Sequence, residues 1–176
     1  MNLDKIHLLK VLNRIFNEEI TRDFNHNVMD CFDLNIICVF FDNKSWQELA
    51  ETLDLKRAAY PLELATYYFN GKIIKYYTPL YIYASLLNEE GWVFDSCFID
   101  RYLLPDVQGV ESFLSLFNTF SNSELNIISQ YIHYAGYHIG HQSARAAFES
   151  FWEVFYNPGT EGESIFPRYK NMNSSK

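Results

Sequence analysis

Residues 113–134, FLSLFNTFSNSELNIISQYIHY, decide the fold class of this chain of 176 residues. From Phe113 onward, apolar side chains recur at steps of three and four residues, which is the spacing of one helical face. Ser121 and Glu124 then match the capping box, in which each side chain accepts a hydrogen bond from the other residue's backbone N–H. Residues 125–134 are apolar on a wide face. The stretch therefore predicts two consecutive, buried helices.

The same two signals, periodic apolar residues and helix caps, predict helices along most of the chain. The predicted helices are the N-terminal segment to about Phe24, 46–53, 62–69, a helix through 76–87 and a last helix from His141 that stops at Asn157-Pro158-Gly159.

Proline and glycine set the predicted boundaries inside this pattern. We expect residues 54–60 to interrupt the helices, because Pro61 disfavours helical geometry at the residue before it. Asn70-Gly71 is predicted to end the helix 62–69, since glycine tolerates the left-handed C-terminal conformation. Thr78-Pro79 predicts either a helix start or a kink.

Two segments of the chain have a less regular pattern, so their secondary structure stays open in the predicted fold. Periodicity does not decide whether the continuous apolar run 34–41 is a strand or a helix, and 91–106 mixes turn and strand character, with 92–98 as the candidate strand. We therefore predict a mainly α single-domain bundle of about six or seven helices with room for one or two short strands. The domain is expected to span 1–159, followed by a polar, disordered tail at 160–176.

Composition and charge exclude several classes of partner. The chain carries 14 basic and 22 acidic residues, a net charge of −8, which opposes binding to nucleic acid or to an anionic membrane. No apolar run is long enough to cross a bilayer, and the first ten residues lack the order of a signal peptide. Cys31, Cys38 and Cys97 do not have the spacing of a metal or disulfide framework. We expect a cytoplasmic protein with reduced thiols.

No catalytic motif is present, and the most enzyme-like group is His133, His138 and His141. Two histidines three residues apart could share a metal ion. Gly140 falls between them, however, and the neighbouring sequence supplies no acidic ligand. The pattern favours a structural role, in which these histidines line the junction between two helices. We therefore predict no catalytic residues, no metal and no cofactor.

Residues 56–84 combine four bases, one acid and many tyrosines. Interleaved bases and aromatic rings can bind single-stranded nucleic acid by stacking. The net charge of the whole chain opposes that function, and the spacing of Tyr76 and Tyr83 indicates core packing.

Residues 89–111 hold six acids against Arg101 alone, together with four aromatic residues. Such a segment suits a basic protein partner, because complementary charge speeds encounter while a few buried aromatic rings supply affinity. The predicted partner-binding residues are Glu89, Glu90, Trp92, Phe94, Asp95, Phe98, Asp100, Tyr102, Asp106 and Glu111.

Trp46, the segment 72–87 with Tyr76-Tyr77-Thr78-Pro79, and Phe120-Ser121-x-x-Glu124 resemble an uncharacterised bacterial family of small proteins. Members of that family pair a Tyr-Leu-Pro step and an apolar helix with a later Phe-Thr-x-x-Gln helix start. The resemblance covers about residues 46–155, with Thr78 in place of Leu and Glu124 in place of Gln. It implies a mainly helical bacterial protein and carries over no catalytic residue.

A small, acidic protein without catalytic motifs also resembles, by general type, the bacterial immunity proteins that neutralise toxins. The first functional hypothesis is therefore a binding protein that occludes a basic toxin domain. The alternatives are an enzyme that uses the His133–His141 region and a structural or oligomerising subunit. The sequence leaves the oligomeric state open.

Overall fold

The computed structural model describes residues 3–18, 32–105 and 109–156, and all regular structure within them is helical. The α-helices are α1 (Leu3–Ile15), α2 (Phe32–Phe41), α3 (Trp46–Glu51), α4 (Leu55–Tyr68), α5 (Gly71–Leu86), α6 (Phe94–Phe98), α7 (Val110–Phe117), α8 (Asn122–Tyr134) and α9 (Gln142–Ser150). Two π-helical turns, Ile99–Leu103 and Ala135–Ile139, and a 3-10 turn, Trp152–Phe155, complete the described structure. The mainly α fold class is thus confirmed.

Helix α2 covers 34–41 and α6 covers 94–98, so the helix alternative holds at 34–41 and neither segment forms the strand that was left open. In α2, the two buried side chains are Ile37 and Phe41, one helical turn apart. In α6, the amide of Cys97 donates to the carbonyl of Val93 at 3.0 Å, as in a helix. Residues 19–31, 106–108 and 157–176 lie outside the described part of the chain. The predictions that fall there concern Cys31, the end of the first helix at Phe24, the stop at Pro158 and the tail.

Contacts divide the chain into two compact units. The central unit is Phe16–Cys97, and the terminal unit joins Met1–Ile15 with Phe98–Lys176. The expectation of one domain over 1–159 stays a prediction.

The terminal unit is built around Trp152, which is completely buried. Its indole packs edge-on against Phe117, with ring centroids 4.7 Å apart, and against Phe113 at 6.2 Å. The indole Nε1 donates to the carbonyl of Leu103 at 2.7 Å, and the Trp152 carbonyl accepts from Ser129 Oγ at 2.7 Å. Trp152 therefore joins α7, α8 and the first π-helical turn.

The capping box predicted at Ser121 is confirmed at the start of α8. Glu124 N donates to Ser121 Oγ at 3.3 Å, and Ser121 N donates to Glu124 Oε2 at 2.6 Å. The last helix is shorter than predicted: α9 ends at Ser150, and Phe151 leaves helical geometry at φ −146°. This break turns the chain so that Trp152 enters the core.

Gly136, in the second π-helical turn, lies close to the backbone of Arg145 in α9. A β carbon at this position would lie 2.8 Å from the backbone N and Cα of Arg145. Atoms this close would overlap, so glycine is the residue that permits this packing.

In the central unit, α4 begins earlier than the sequence predicted. Asp54 caps the helix by accepting from Lys56 N at 3.1 Å, and the helix continues through Pro61 to Tyr68. The predicted interruption between α3 and α4 therefore covers 52–54 and not 54–60. Proline removes one helical hydrogen bond, but a helical chain keeps Ala58, Leu62 and Ala65 buried on one face.

Asn70 was predicted to end the helix before it, but in the structure it caps the start of α5. Its Oδ1 accepts from Lys72 N at 3.2 Å and from Ile73 N at 3.3 Å, which makes it the N-cap. The helix α5 then continues through Pro79, so the alternative of a helix start at Thr78-Pro79 does not hold. Thr78 Oγ1 donates to the carbonyl of Ile74 at 2.8 Å in the same turn.

Buried tyrosines link the helices of the central unit. Tyr77 OH donates to the carbonyl of Lys44 at 2.9 Å, and Tyr81 OH donates to the carbonyl of Leu62 at 2.8 Å. The Tyr77 ring also packs against Phe41, with centroids 4.9 Å apart. Burial raises the pKa of Tyr77 well above its usual range, so its hydroxyl stays a donor.

We expect Trp152→Phe to lower the free energy of unfolding by roughly 2–4 kcal/mol, because it removes buried volume and the bond to the Leu103 carbonyl. Urea denaturation of the full chain measures the change. The control is Trp92→Phe, where the indole is 38% exposed; a change within about 0.5 kcal/mol is expected there. Equal effects at the two positions would contradict the role given to Trp152.

Candidate functional site

The segment of residues 88–93, called the 88–93 loop below, connects α5 to α6 and is braced by one side chain. Asn88 Nδ2 donates to the carbonyl of Trp92 at 2.7 Å and to Asp95 Oδ2 at 3.0 Å. Asn88 Oδ1 accepts from Trp92 N at 2.8 Å. Gly91 supplies the left-handed residue of the turn, at φ 75°. The loop is held in one shape by hydrogen bonds to its own backbone.

This loop presents acidic and apolar side chains together. Glu89 and Glu90 are exposed, and beside them Trp92 is 38% and Val93 55% exposed. Glu90 Oε1 lies 3.7 Å from Lys56 Nζ, but both side chains are more than half exposed. A solvated pair of this kind contributes little stability, so the carboxylates remain accessible to a partner.

Three of the predicted partner-binding aromatic residues are buried, which corrects their assignment to a recognition surface. Phe94 and Phe98 are fully buried, and Tyr102 is 7% exposed. Burial raises the pKa of Tyr102 to about 12. The spacing of four residues between them is the helical signal that could have identified them as core residues.

The remaining predicted residues fall in both units. Asp95 is half-buried and accepts from Asn88, as described above, and from Ser96 N at 2.7 Å. Asp100, in the terminal unit, is half-buried in the first π-helical turn, and Glu111 is exposed in the first turn of α7. Asp106 lies outside the described residues. The structure therefore brings together Glu89, Glu90, Trp92 and Asp95.

The three histidines lie at the junction of α8, the second π-helical turn and α9. The His133 ring stacks on Tyr156 at 4.5 Å and on Tyr137 at 4.9 Å between centroids, while the His138 ring is 5.8 Å away. His141 is the N-cap of α9, because its Nδ1 accepts from the amide of Ala144 at 3.3 Å. Among the residues that the structure describes, no group of three or more His, Cys, Asp or Glu could hold a metal ion.

An exposed cluster links the second π-helical turn to α9. Glu149 Oε1 accepts from Tyr137 OH at 2.8 Å and from Arg145 Nε at 3.0 Å. The Arg145 guanidinium lies over the Tyr137 ring, 4.9 Å from its centroid. The hydrogen bonds from Tyr137 and Arg145 lower the pKa of Glu149. These contacts join α9 to the second π-helical turn.

The core packing predicted for Tyr76 and Tyr83 holds for Tyr83, which is 3% exposed, and not for Tyr76, which is half-buried. Tyr77, Tyr81 and Tyr83 are buried, but α4 carries a row of tyrosines toward solvent. Tyr60 and Tyr67 are each 51% exposed and Tyr68 is 44% exposed.

Sequence reasoning also missed a groove beside α2. It has a volume of about 700 Å³ and lies between α2, α3 and the start of α4. On its α2 side, Phe32 is 75% and Val39 78% exposed. The continuous apolar run 34–41 indicated complete burial, so it gave no signal for an open face.

Over the described ranges, no helix combines the length and the apolar character needed to cross a membrane. The chain matches no protein-family model, no curated protein and no solved structure.

The setting of His133 predicts a pH dependence of stability. Burial among the rings, and then the neighbouring His138, lower the pKa of His133 below 6.5. Below pH 6.5 the unfolded chain therefore binds a proton that the folded chain does not yet bind. The His133 contribution to stability is complete above pH 6.5 and is lost as the pH falls from there toward the folded pKa.

Urea midpoints measured at about pH 7.5 and about pH 5.5 test this dependence. His133→Phe keeps an aromatic ring in the stack and removes the titration, so the difference between the two midpoints should shrink. His7→Gln, on α1, is the control. An unchanged pH difference in His133→Phe would contradict the assignment.

Proposed function

We propose that this chain is a non-catalytic binding protein, and that it acts as a bacterial immunity protein that neutralises a cognate toxin in the cytoplasm. The observation that carries the proposal is the 88–93 loop, in which two exposed carboxylates stand beside a partly exposed indole. The partner it suits is a basic protein surface, such as the active-site region of a toxin that acts on an anionic substrate.

Charge supports this choice of partner. The chain has a net charge of −8, so its field attracts a basic protein at long range and repels other acidic proteins. Glu89 and Glu90 add a local negative potential at the loop itself. Complementary potentials of this kind raise the rate of encounter and reject partners of the same charge.

Trp92 supplies the apolar contact area of the proposed interface. Tryptophan is among the residues most often found at the energetic centre of an interface, because its large ring buries much area at a small entropic cost. The bonds from Asn88 hold the loop in one shape before binding. A preorganised loop loses less conformational entropy when it docks, and this favours affinity.

The bacterial setting rests on the resemblance of Trp46, the 72–87 segment and Phe120-Ser121-x-x-Glu124 to the uncharacterised bacterial family. The first experiment is co-expression with the product of the gene directly upstream. We expect that product to arrest growth alone, and this chain to restore growth and form a stable complex with it. Growth arrest that this chain does not relieve would count against neutralisation of that product.

Reversing the two loop charges tests electrostatic steering. Glu89→Lys with Glu90→Lys should slow association with the toxin by about tenfold or more at low salt. The difference should diminish as salt is added, because the charges become screened. Stopped-flow association measures the rate. The matched control, exposed Glu51→Lys with Glu153→Lys, changes the net charge equally, and an equal effect would show that the loop has no special role.

Removing the indole tests the apolar part of the contact. Trp92→Ala should raise the dissociation rate about 10–100-fold while changing the association rate little, because the ring acts after encounter. Surface plasmon resonance separates the two rates. Leu114→Ala is the control, since Leu114 is 40% exposed against 38% for Trp92. A dissociation rate unchanged by Trp92→Ala would remove Trp92 from the interface.

A further inference from the structure

Lys56 connects the first turn of α4 to the 88–93 loop. Its Nζ lies 3.7 Å from Glu90 Oε1, and the two side chains are 74% and 54% exposed. Both residues belong to the central unit. An exposed pair of this kind contributes little stability, so a cation that binds the Glu90 carboxylate better can displace Lys56.

Tyr60 follows Lys56 by four residues on α4. Residues at this spacing are neighbours on the surface of a helix, so the tyrosine adjoins the lysine that contacts Glu90. Tyr60 is 51% exposed. Within the described part of the chain, its side chain makes no hydrogen bond, ion pair or ring contact. An exposed ring with no such contact thus stands near a carboxylate that attracts a cation.

The terminal unit contains an arginine that is bound by a tyrosine ring and a carboxylate together. There the Arg145 guanidinium lies over the Tyr137 ring, 4.9 Å from its centroid, and its Nε donates to Glu149 Oε1 at 3.0 Å. Tyr137 is 41% exposed, so this arrangement forms at a solvated surface. Arginine suits it because the face of the planar guanidinium stacks on a ring while its edge donates to a carboxylate.

We propose that Tyr60 and Glu90 form a subsite for an arginine side chain of the basic partner, in which the incoming guanidinium displaces Lys56. The guanidinium donates two parallel hydrogen bonds to the Glu90 carboxylate and stacks on the Tyr60 ring. Lys56 gives the same carboxylate only a contact of 3.7 Å. The inference rests on the proposed function, because it names the side chain that the 88–93 loop takes from its partner.

The subsite makes a distinction that net charge does not make. The charge of −8 attracts arginine and lysine alike, because both carry one positive charge. A ring beside a carboxylate favours arginine, since the ammonium group of lysine is compact, strongly hydrated and unable to stack. A preference for arginine therefore separates binding at Tyr60 and Glu90 from general attraction to an acidic protein.

Fluorescence anisotropy tests the subsite in the full chain, with a labelled arginine homopeptide and a labelled lysine homopeptide of equal length as probes. We expect the arginine peptide to bind about threefold more tightly or better at physiological salt. Tyr60→Ala should abolish this preference and leave the affinity for the lysine peptide unchanged. Tyr68→Ala is the matched control and should keep the preference, because Tyr68 is 44% exposed on the same helix but about a quarter of a turn away.

Lys56→Gln tests the displacement of the resident lysine. With its own ammonium group removed, the chain should bind the arginine peptide about two- to fivefold more tightly than the wild type does. Arg57→Gln is the control, because it removes the same charge from the next residue, whose side chain is 89% exposed and contacts Asp54 at 3.5 Å. Its gain should be smaller, since only the change in net charge remains.

Equal affinities for the two peptides, or an arginine preference that Tyr60→Ala leaves intact, would overturn the subsite. A gain from Lys56→Gln no larger than that from Arg57→Gln would overturn it as well. Growth rescue by co-expression decides neutralisation separately, because it involves neither peptide. An arginine preference without rescue supports the subsite and counts against neutralisation, and rescue without the preference does the reverse.

Discussion

A buried aromatic ring with one polar atom must find a hydrogen-bond acceptor, and this constraint organises both units of the protein. Trp152 donates to the carbonyl of Leu103, Tyr77 to that of Lys44 and Tyr81 to that of Leu62. In each case, the ring packs in a core while its polar atom binds the backbone of another segment. Aromatic residues make up 18% of the chain, so the same groups that fill the cores also fix how the helices are joined.

The central unit offers two surfaces of different chemistry. The 88–93 loop is small, acidic and held by Asn88, and its exposed carboxylates favour fast encounter with a basic protein. The α2 face is apolar, and its two most exposed side chains, Phe32 and Val39, line a groove between α2, α3 and the start of α4.

Local signals in the sequence predicted helices well and their boundaries less well. The capping box at Ser121 was identified correctly because all of its partners lie within four residues. The predicted effects of Pro61 and Asn70 on the helix boundaries were wrong, because these effects depend on residues far away in the sequence. Whether a proline interrupts a helix, and whether Asn70 caps the helix before or after it, depends on which side chains the rest of the unit buries. Phe94, Phe98 and Tyr102 were assigned to a recognition surface for a different reason: the acidic neighbourhood was given more weight than their helical spacing of four residues.

By itself, the sequence determined the mainly α class, the start of α8, the acidic character of the chain and the acidic segment that contains Glu89 and Glu90. These properties depend on composition and on residues close in sequence, where spacing is fixed by the helix repeat. Only the tertiary structure decided that Trp92 reaches solvent while Phe94 does not, that His141 serves as a helix cap, and that α2 has an open face. Each of these outcomes depends on which helices pack together, and the free energy of that packing is shared among residues far apart in the chain.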